Sequence, residues 1–377
     1  MKPGSNRICV VKVGSAVVAQ EGTLRPEVIH RLAGEIAQLH ERGIAVVIVS
    51  SGAVACGLSA LGLDRMPERI SDRQAAAALG QPLIIGAWSE GLRAHGLHAA
   101  QTLLTADDID FRERFVNAQK KLDTLLCAGA VPIINENDSI SFADISLGDN
   151  DRVGTLVSCL MGAELLVLLS SADGLREDRG KGGVISVVES PEHAHKHVGE
   201  SKSTVGTGGM GAKLDSAFTA SDFGTTVVIA AGGEPGVLAR IVDGEDVGTR
   251  FPAVSGGMSD WSRRKQWIAH AINVRGRLIV DDGARAAVAD RGASLLPKGV
   301  LGVEASEFEG FPVGAAVEIC GTDGLVFARG LVNYRYDEIG RIVGVRSDII
   351  EGVLGYSRGD AIIHRDDLAL TTGRVMS

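Results

Sequence analysis

The chain has 377 residues, enough for two or three domains, and 45% of them are hydrophobic. Only 4% are aromatic against 49 glycines, so Val, Ile, Leu and Ala must fill the core, which favours an α/β protein over a sandwich or a disulfide scaffold. A formal net charge of −9 speaks against generic binding to nucleic acid or anionic membranes, and no apolar run reaches the length of a membrane span.

MKPGSNRICVVKVGS, at the start, enters a strand-like run almost at once and has no signal-peptide pattern, so a cytoplasmic protein is expected. Apolar runs of strand length follow at 8–13, 44–50, 131–135, 164–170 and 225–231, with a weaker one at 98–105. They are almost continuously apolar, as strands covered on both faces are. Helical patterns lie between them. Residues 26–43 put Val28, Ile29, Leu32, Ile36 and Leu39 on one face, with Pro26 suited to the start and Gly43 to the end. Residues 111–129, 151–162 and 212–224 behave likewise. The alternation predicts β-α-β units and a three-layer, open, mainly parallel sheet with helices on both faces. Five scattered cysteines (Cys9, Cys56, Cys127, Cys159, Cys320) form no C-x-x-C pair and read as reduced. Near 250 the texture changes. A small, polar, basic connector spans 255–274, and from 275 to 377 short apolar runs such as RLIVDD, GAAVEIC, GLVFARGLVNY and GDAIIHRDD predict a small, mostly β domain.

In open parallel sheets ligands sit at the carboxyl ends of strands, so the loops after strands are where chemistry is expected. Lys12 lies inside the first strand and is followed by Gly14; a lysine there either snorkels to solvent or meets an anion. The second strand ends in Ser51 and Gly52. After the strand at 131–135 come Asp138, Asp149, Asn150 and Asp151, more carboxylates than helix capping needs; they suit an ammonium group, a magnesium ion or a lysine pair. GTGGMGAK (206–213) has P-loop-like glycines, but Ala212 intervenes before Lys213 and Leu214 replaces the hydroxyl residue. No strand precedes it, so it reads instead as N–H groups at a helix start with Lys213 in the first turn. His193, His195 and His197 fit no specific zinc pattern, and no protein metal site is assigned.

VVKVGS, SSGAVACG, RERFVNA, VPIINEND, GDND and GTGGMGAK, in this order, resemble the glutamate 5-kinases of the amino-acid kinase family, and the C-terminal part resembles a PUA domain. The resemblance covers essentially the whole chain. It implies a catalytic domain over 1–254 and ATP-dependent phosphorylation of the γ-carboxylate of L-glutamate with Mg²⁺, the first step of proline synthesis. It also implies a homo-oligomer (dimer or tetramer), feedback inhibition by proline, and a glutamyl-phosphate reductase as functional partner. Carried over by residue, it makes Lys12 and Lys213 the phosphoryl clamp, oriented by Asp149 or Asp151. Ser51, Gly52, Asp138 and Asn150 would bind glutamate. Lys12, Gly14, Ser170, Ser171, Thr207, Gly208, Gly209, Met210, Gly211, Ala212 and Lys213 would bind the nucleotide.

The residues suit the chemistry. A carboxylate nucleophile is already ionised at neutral pH, so the task is positioning and cation clamping, not proton abstraction. One departure stands out: Ser170-Ser171 replaces the family's Thr-Asp, and the segment after it is shortened to 177–183. Altered nucleotide preference is therefore expected. The competing readings are another carboxylate kinase of the same superfamily and RNA binding through the PUA domain. Residues 276–377 hold 11 Lys and Arg against 15 Asp and Glu, a balance of −4 that speaks against nucleic acid.

Overall fold

The structure, a computed structural model, describes residues 7–20, 22–105, 108, 112–138, 150–198, 209–254, 265, 268–269, 274–306 and 310–371. Its contacts divide the chain into two compact units. The first runs to Gly257 apart from Ile109–Arg114, which group with the second unit, Met258–Ser377.

The first unit is built on a seven-stranded sheet. Its strands are β1 (Arg7–Val13), β2 (Ile44–Ser50), β3 (His98–Leu104), β4 (Ala130–Glu136), β5 (Leu165–Ser170), β6 (Thr226–Ala231) and β7 (Thr249–Phe251). Their order is β3-β4-β2-β1-β5-β6-β7, and every pairing is parallel except β6 with β7. β1 is central. The chain leaves it towards β2 and later returns to its other side as β5, so the topological switch point lies at the carboxyl end of β1. The apolar strand cores explain this placement, because β2 is buried along its whole length.

The helices flanking this sheet include α1 (Pro26–Glu41), α2 (Ala53–Gly57), α3 (Ile70–Arg93), α4 (Arg112–Cys127), α5 (Asn150–Met161), α6 (Met210–Asp222) and α7 (Val237–Val242). α1 buries Val28, Ile29, Leu32, Ile36 and Leu39, the face its periodicity predicts. Gly43, just past it, adopts a positive φ of 75°, the left-handed conformation that ends helices. The core continues through Trp88 of α3, whose Nε1–H donates to Ser50 Oγ at 3.1 Å.

The sequence reading departs from the structure at several points. α6 begins at Met210, two residues before the predicted 212, because Gly209 can serve as its extended N-cap. The edge strand β7 escapes a search for long apolar runs because it is only three residues long. The 24-residue helix α3 has no matching pattern in the sequence. Its exposed Leu79 and Leu83 add apolar residues outside the buried face, and Pro82 reads as a helix breaker.

The second unit carries a five-stranded mixed sheet. Its strands are β8 (Val274–Val280), β9 (Val300–Ala305), β10 (Ala316–Cys320), β11 (Val326–Leu331) and β12 (Leu368–Leu370), in the order β9-β8-β10-β11-β12. β8 and β10 are parallel and the other pairs antiparallel. GDAIIHRDD is not a strand: Ile363 makes a single bridge to Leu295, while Ile362 and Ile363 are buried in this unit's own core. Four apolar runs were predicted here, whereas β9 and the helix α8 (Asp282–Arg291) were not.

Candidate active site

Lys12 is the sixth residue of β1, paired with Val49 of β2 on one side and Leu168 of β5 on the other. Its stem is buried against α5: a Cβ on Gly154 would stand 3.2 Å from Lys12 Cβ. The ammonium does not snorkel to solvent. Lys12 Nζ lies 2.6 Å from Asp151 Oδ1, and Lys213 Nζ donates to Asp151 Oδ2 at 2.8 Å. Asp151 is wholly buried, in the first turn of α5, while Lys213 comes from the first turn of α6. Burial alone would push the Asp151 carboxyl up, but the ammonium groups of Lys12 and Lys213 hold it below the ordinary carboxylate range. Three residues far apart in sequence thus form one buried cluster with two positive charges and one negative.

The sequence offers Asp149 and Asp151 alike as partners of the lysines; in the structure Asp151 meets both, while Asp149, Thr207 and Gly208 lie outside the described residues. Gly209, Met210, Gly211 and Ala212 lead into Lys213, and the N-cap Gly209 provides no side-chain cap to the first turn of α6. The Gly14 N–H donates to Leu169 O at 2.9 Å, so it extends the β1–β5 ladder and is not an open phosphate donor. The Ser170 hydroxyl is likewise engaged: it accepts from Ala172 N at 2.9 Å and donates to Ala172 O at 3.2 Å. Ser171 beside it is exposed.

A second group of polar residues lies along β2, α3 and β4. Ser51 is buried and its N–H donates to Val13 O at 3.0 Å, continuing β1. Gly52 turns the chain into α2 at a φ of 104°, where a Cβ would also meet Val18 Cγ2 at 2.9 Å; only glycine fits both conditions. α2 and α3 then pack backbone to backbone. A Cβ on Gly80 would lie 1.9 Å from Ala53 O, and one on Gly57 equally close, 1.9 Å, to Ala76 O. This approach brings Gln81 towards the strand ends. A cavity of ≈ 390 Å³ opens there, lined among others by Ala53, Gln81, Gln101, Glu136 and Asp138. Burial, reinforced by the neighbouring charge of Glu136, pushes the Asp138 carboxyl up to about 7. Asn150, at the start of α5, donates from Nδ2 to Asn135 Oδ1 at 3.2 Å, and its own Oδ1 is buried with no hydrogen-bond partner among the described residues.

Comparison with known proteins shows the family to which this fold belongs. The amino acid kinase family matches residues 7–231, and the PUA domain matches residues 276–354. The chain belongs to the amino acid kinase family. Among similar amino acid kinases is the glutamate 5-kinase of Geobacter sulfurreducens, 45% identical over 367 residues, covering 96% of each chain. The glutamate 5-kinase of Trichlorobacter lovleyi is 44% identical over 97% of each chain. That of Thermus thermophilus is 43% identical over 98% of this chain and 99% of its own. A solved carbamate kinase from Giardia covers 67% of this chain at 17% identity with a TM-score of 0.46; the family assignment rests on the closer matches.

Gln81, Asn135 and Glu136 were not singled out from the sequence. Asn135 sits inside VPIINEND, where its place at the strand end was the available signal. Gln81 follows AAAALG, a run too featureless to mark it.

Proposed function

We propose that this amino acid kinase transfers the γ-phosphoryl group of ATP to the γ-carboxylate of L-glutamate, giving L-glutamyl 5-phosphate and ADP. The observation that carries the reading is the Lys12–Asp151–Lys213 cluster at the switch point. Two ammonium groups meet on one carboxylate, so both cations are gathered at one point for the transferring group. Asp151 holds both lysines in place before substrate arrives, which is the preorganisation that electrostatic catalysis requires. The acceptor carboxylate oxygen attacks phosphorus, the bond to the ADP oxygen breaks, and ADP leaves with the electron pair. No proton moves, in keeping with a cluster that contains no free base.

Asp138 and the buried Oδ1 of Asn150 suit the substrate ammonium, and the N-terminus of α6 from Gly209 suits nucleotide phosphate. The described residues offer no carboxylate cage for Mg²⁺: Asp151 is committed to two lysines, and no group of three ligating side chains occurs among them. The ion would arrive with ATP and would supply charge neutralisation to the phosphates.

Self-association fits α3, which exposes Leu79 (44%) and Leu83 (48%) one turn apart beside exposed Pro82. Changing both leucines to glutamate is expected to yield a lighter species in sedimentation. Five free cysteines, and no described helix long and apolar enough to cross a membrane, fit a cytoplasmic enzyme. Hydroxylamine trapping of the acyl phosphate tests the activity: hydroxamate must form only with glutamate and ATP together. Absence of glutamate-dependent product refutes the reading. Repeating the assay with proline tests feedback inhibition, and adding a glutamyl-phosphate reductase with NADPH tests transfer to a downstream enzyme.

A further inference from the structure

Three amides run from α3 through β4 to α5. Asn135 Nδ2 donates to Gln81 Oε1 at 2.7 Å, and Asn150 Nδ2 donates to Asn135 Oδ1 at 3.2 Å. An amide chain can in principle run in either direction, because the oxygen and nitrogen ends have the same shape. Here one contact removes that freedom. Asn135 Oδ1 also accepts from the backbone N–H of Glu136 at 2.9 Å, and a backbone N–H can only donate. Asn135 must therefore present oxygen to Glu136 and to Asn150, and nitrogen to Gln81. It follows that Gln81 spends its oxygen on Asn135 and has its Nε2 donors left over. At the other end Asn150 spends its nitrogen and keeps Oδ1, a buried atom with no hydrogen-bond partner among the described residues.

Gln81 lines the cavity that also holds Glu136 and Asp138, and the described residues lining that cavity include no Lys or Arg. An amino acid entering it brings an α-carboxylate that must find neutral donors. We propose that Gln81 is a specificity residue for the acceptor: its Nε2, held as a donor by Asn135, binds the α-carboxylate of the amino-acid substrate. The proposal rests on the glutamate kinase reading and adds the group that selects a free α-carboxylate.

The variant Gln81→Glu separates contact from scaffold. A glutamate there still accepts from Asn135 Nδ2, so the chain of amides keeps its direction, but a carboxylate oxygen replaces the donor. Rates are measured at pH 8 with glutamate and with its α-carboxamide analogue, which carries N–H groups where glutamate carries charge. In Gln81→Glu, kcat/KM for glutamate is expected to fall about 100-fold. The preference for glutamate over the α-carboxamide should fall at least about tenfold, with KM for ATP unchanged. An unchanged preference ratio overturns the proposal while leaving the kinase reading intact. A wild-type enzyme inactive with glutamate overturns the kinase reading itself. If thermal melts show that Gln81→Glu does not fold, Gln81→Met, which removes the donor at similar volume, carries the same comparison: a raised KM for glutamate with a weakened preference supports the contact, and unchanged values refute it.

Discussion

Replacing Asp151 by Asn removes one charge and almost no volume from the buried cluster, so the response isolates electrostatics. Asp151 lies 2.6 Å from Lys12 Nζ and 2.8 Å from Lys213 Nζ and is fully buried, with the lysine side chains only 5% and 12% exposed. At an effective dielectric of about 20, each attraction is roughly 6 kcal/mol before desolvation is subtracted. Desolvation cancels much of that gain, but the variant keeps the buried lysines and loses their counter-charge. The amide oxygen can accept from one ammonium, yet its NH₂ end then faces the other. Breaking a buried ion pair in this way costs about 3–5 kcal/mol. Urea unfolding followed by circular dichroism should show that loss in the transition of the kinase unit, and kcat should fall by about two orders of magnitude or more. The pH dependence follows from the depressed carboxyl. Its ordinary value is 3.8 and the folded value is lower, so its contribution is present above 3.8 and lost only as pH falls through the folded value. The deficit of Asp151→Asn should accordingly be constant from pH 8 to 5. A stability loss under about 1 kcal/mol would refute the view that Asp151 is the counter-ion of both lysines.

Lys213→Ala should leave a folded protein with kcat reduced by about 10²–10³, because Lys213 is the less buried of the two cations; normal turnover would remove it from the clamp. Asp138→Asn should chiefly raise KM for glutamate. In the wild-type enzyme kcat/KM should fall tenfold per unit below about pH 7, where the raised Asp138 carboxyl takes up a proton and can no longer pair with an ammonium; a flat profile from pH 8 to 5 would contradict the assignment. Gly80→Ala places a Cβ 1.9 Å from Ala53 O and should cost about 1–3 kcal/mol while raising KM for glutamate through displaced Gln81; wild-type stability would show that α3 can shift freely. With Ser171 exposed and Ser170 tied to Ala172, GTP should support turnover within about tenfold of ATP; strict ATP selectivity would refute that expectation.

The parts of this enzyme legible in the sequence are those whose physics is local. Buried parallel strands announce themselves as unbroken apolar runs, and α1 announces itself by its spacing and its Pro26 and Gly43 signals. Lys12 was legible as an anomaly, a cation in an apolar strand. What the sequence withheld is pairing across distance. Nothing local marks Asp151 as the partner of Lys12 and Lys213; only the packing of α5 and α6 beside β1 brings the three together. The same holds for α3. Its apolar residues point outward as well as inward, so its period is blurred, and Gln81 acquires meaning only because Gly80 and Gly57 let the helix approach α2 closely. The loop hydroxyls and amides fail for a related reason. Gly14 and Ser170 have the right chemistry for a phosphate, but neighbouring backbone has already claimed those groups.

The layout of charge also explains why the γ-carboxylate, and not the α-carboxylate, would meet the phosphoryl group. Among the described site residues the lysines Lys12 and Lys213 meet on Asp151, whereas the described lining of the cavity beyond them carries Glu136, Asp138 and amides. Glutamate has a carboxylate at each end but an ammonium beside only one. Were the α end to enter the lysine cluster, its ammonium would lie next to two others, and the γ-carboxylate would face two acidic side chains without a neighbouring positive charge. Both contacts are repulsive in a poorly solvated site, where like charges cost several kcal/mol. In the reverse orientation every charge meets its opposite or a hydrogen-bond donor: γ-carboxylate at the lysines, ammonium at Asp138 and Asn150 Oδ1, α-carboxylate at Gln81. Regioselectivity then requires no steric gate. It follows from which end of the site holds the lysines, and so from the position of Lys12 one residue before the end of the central strand.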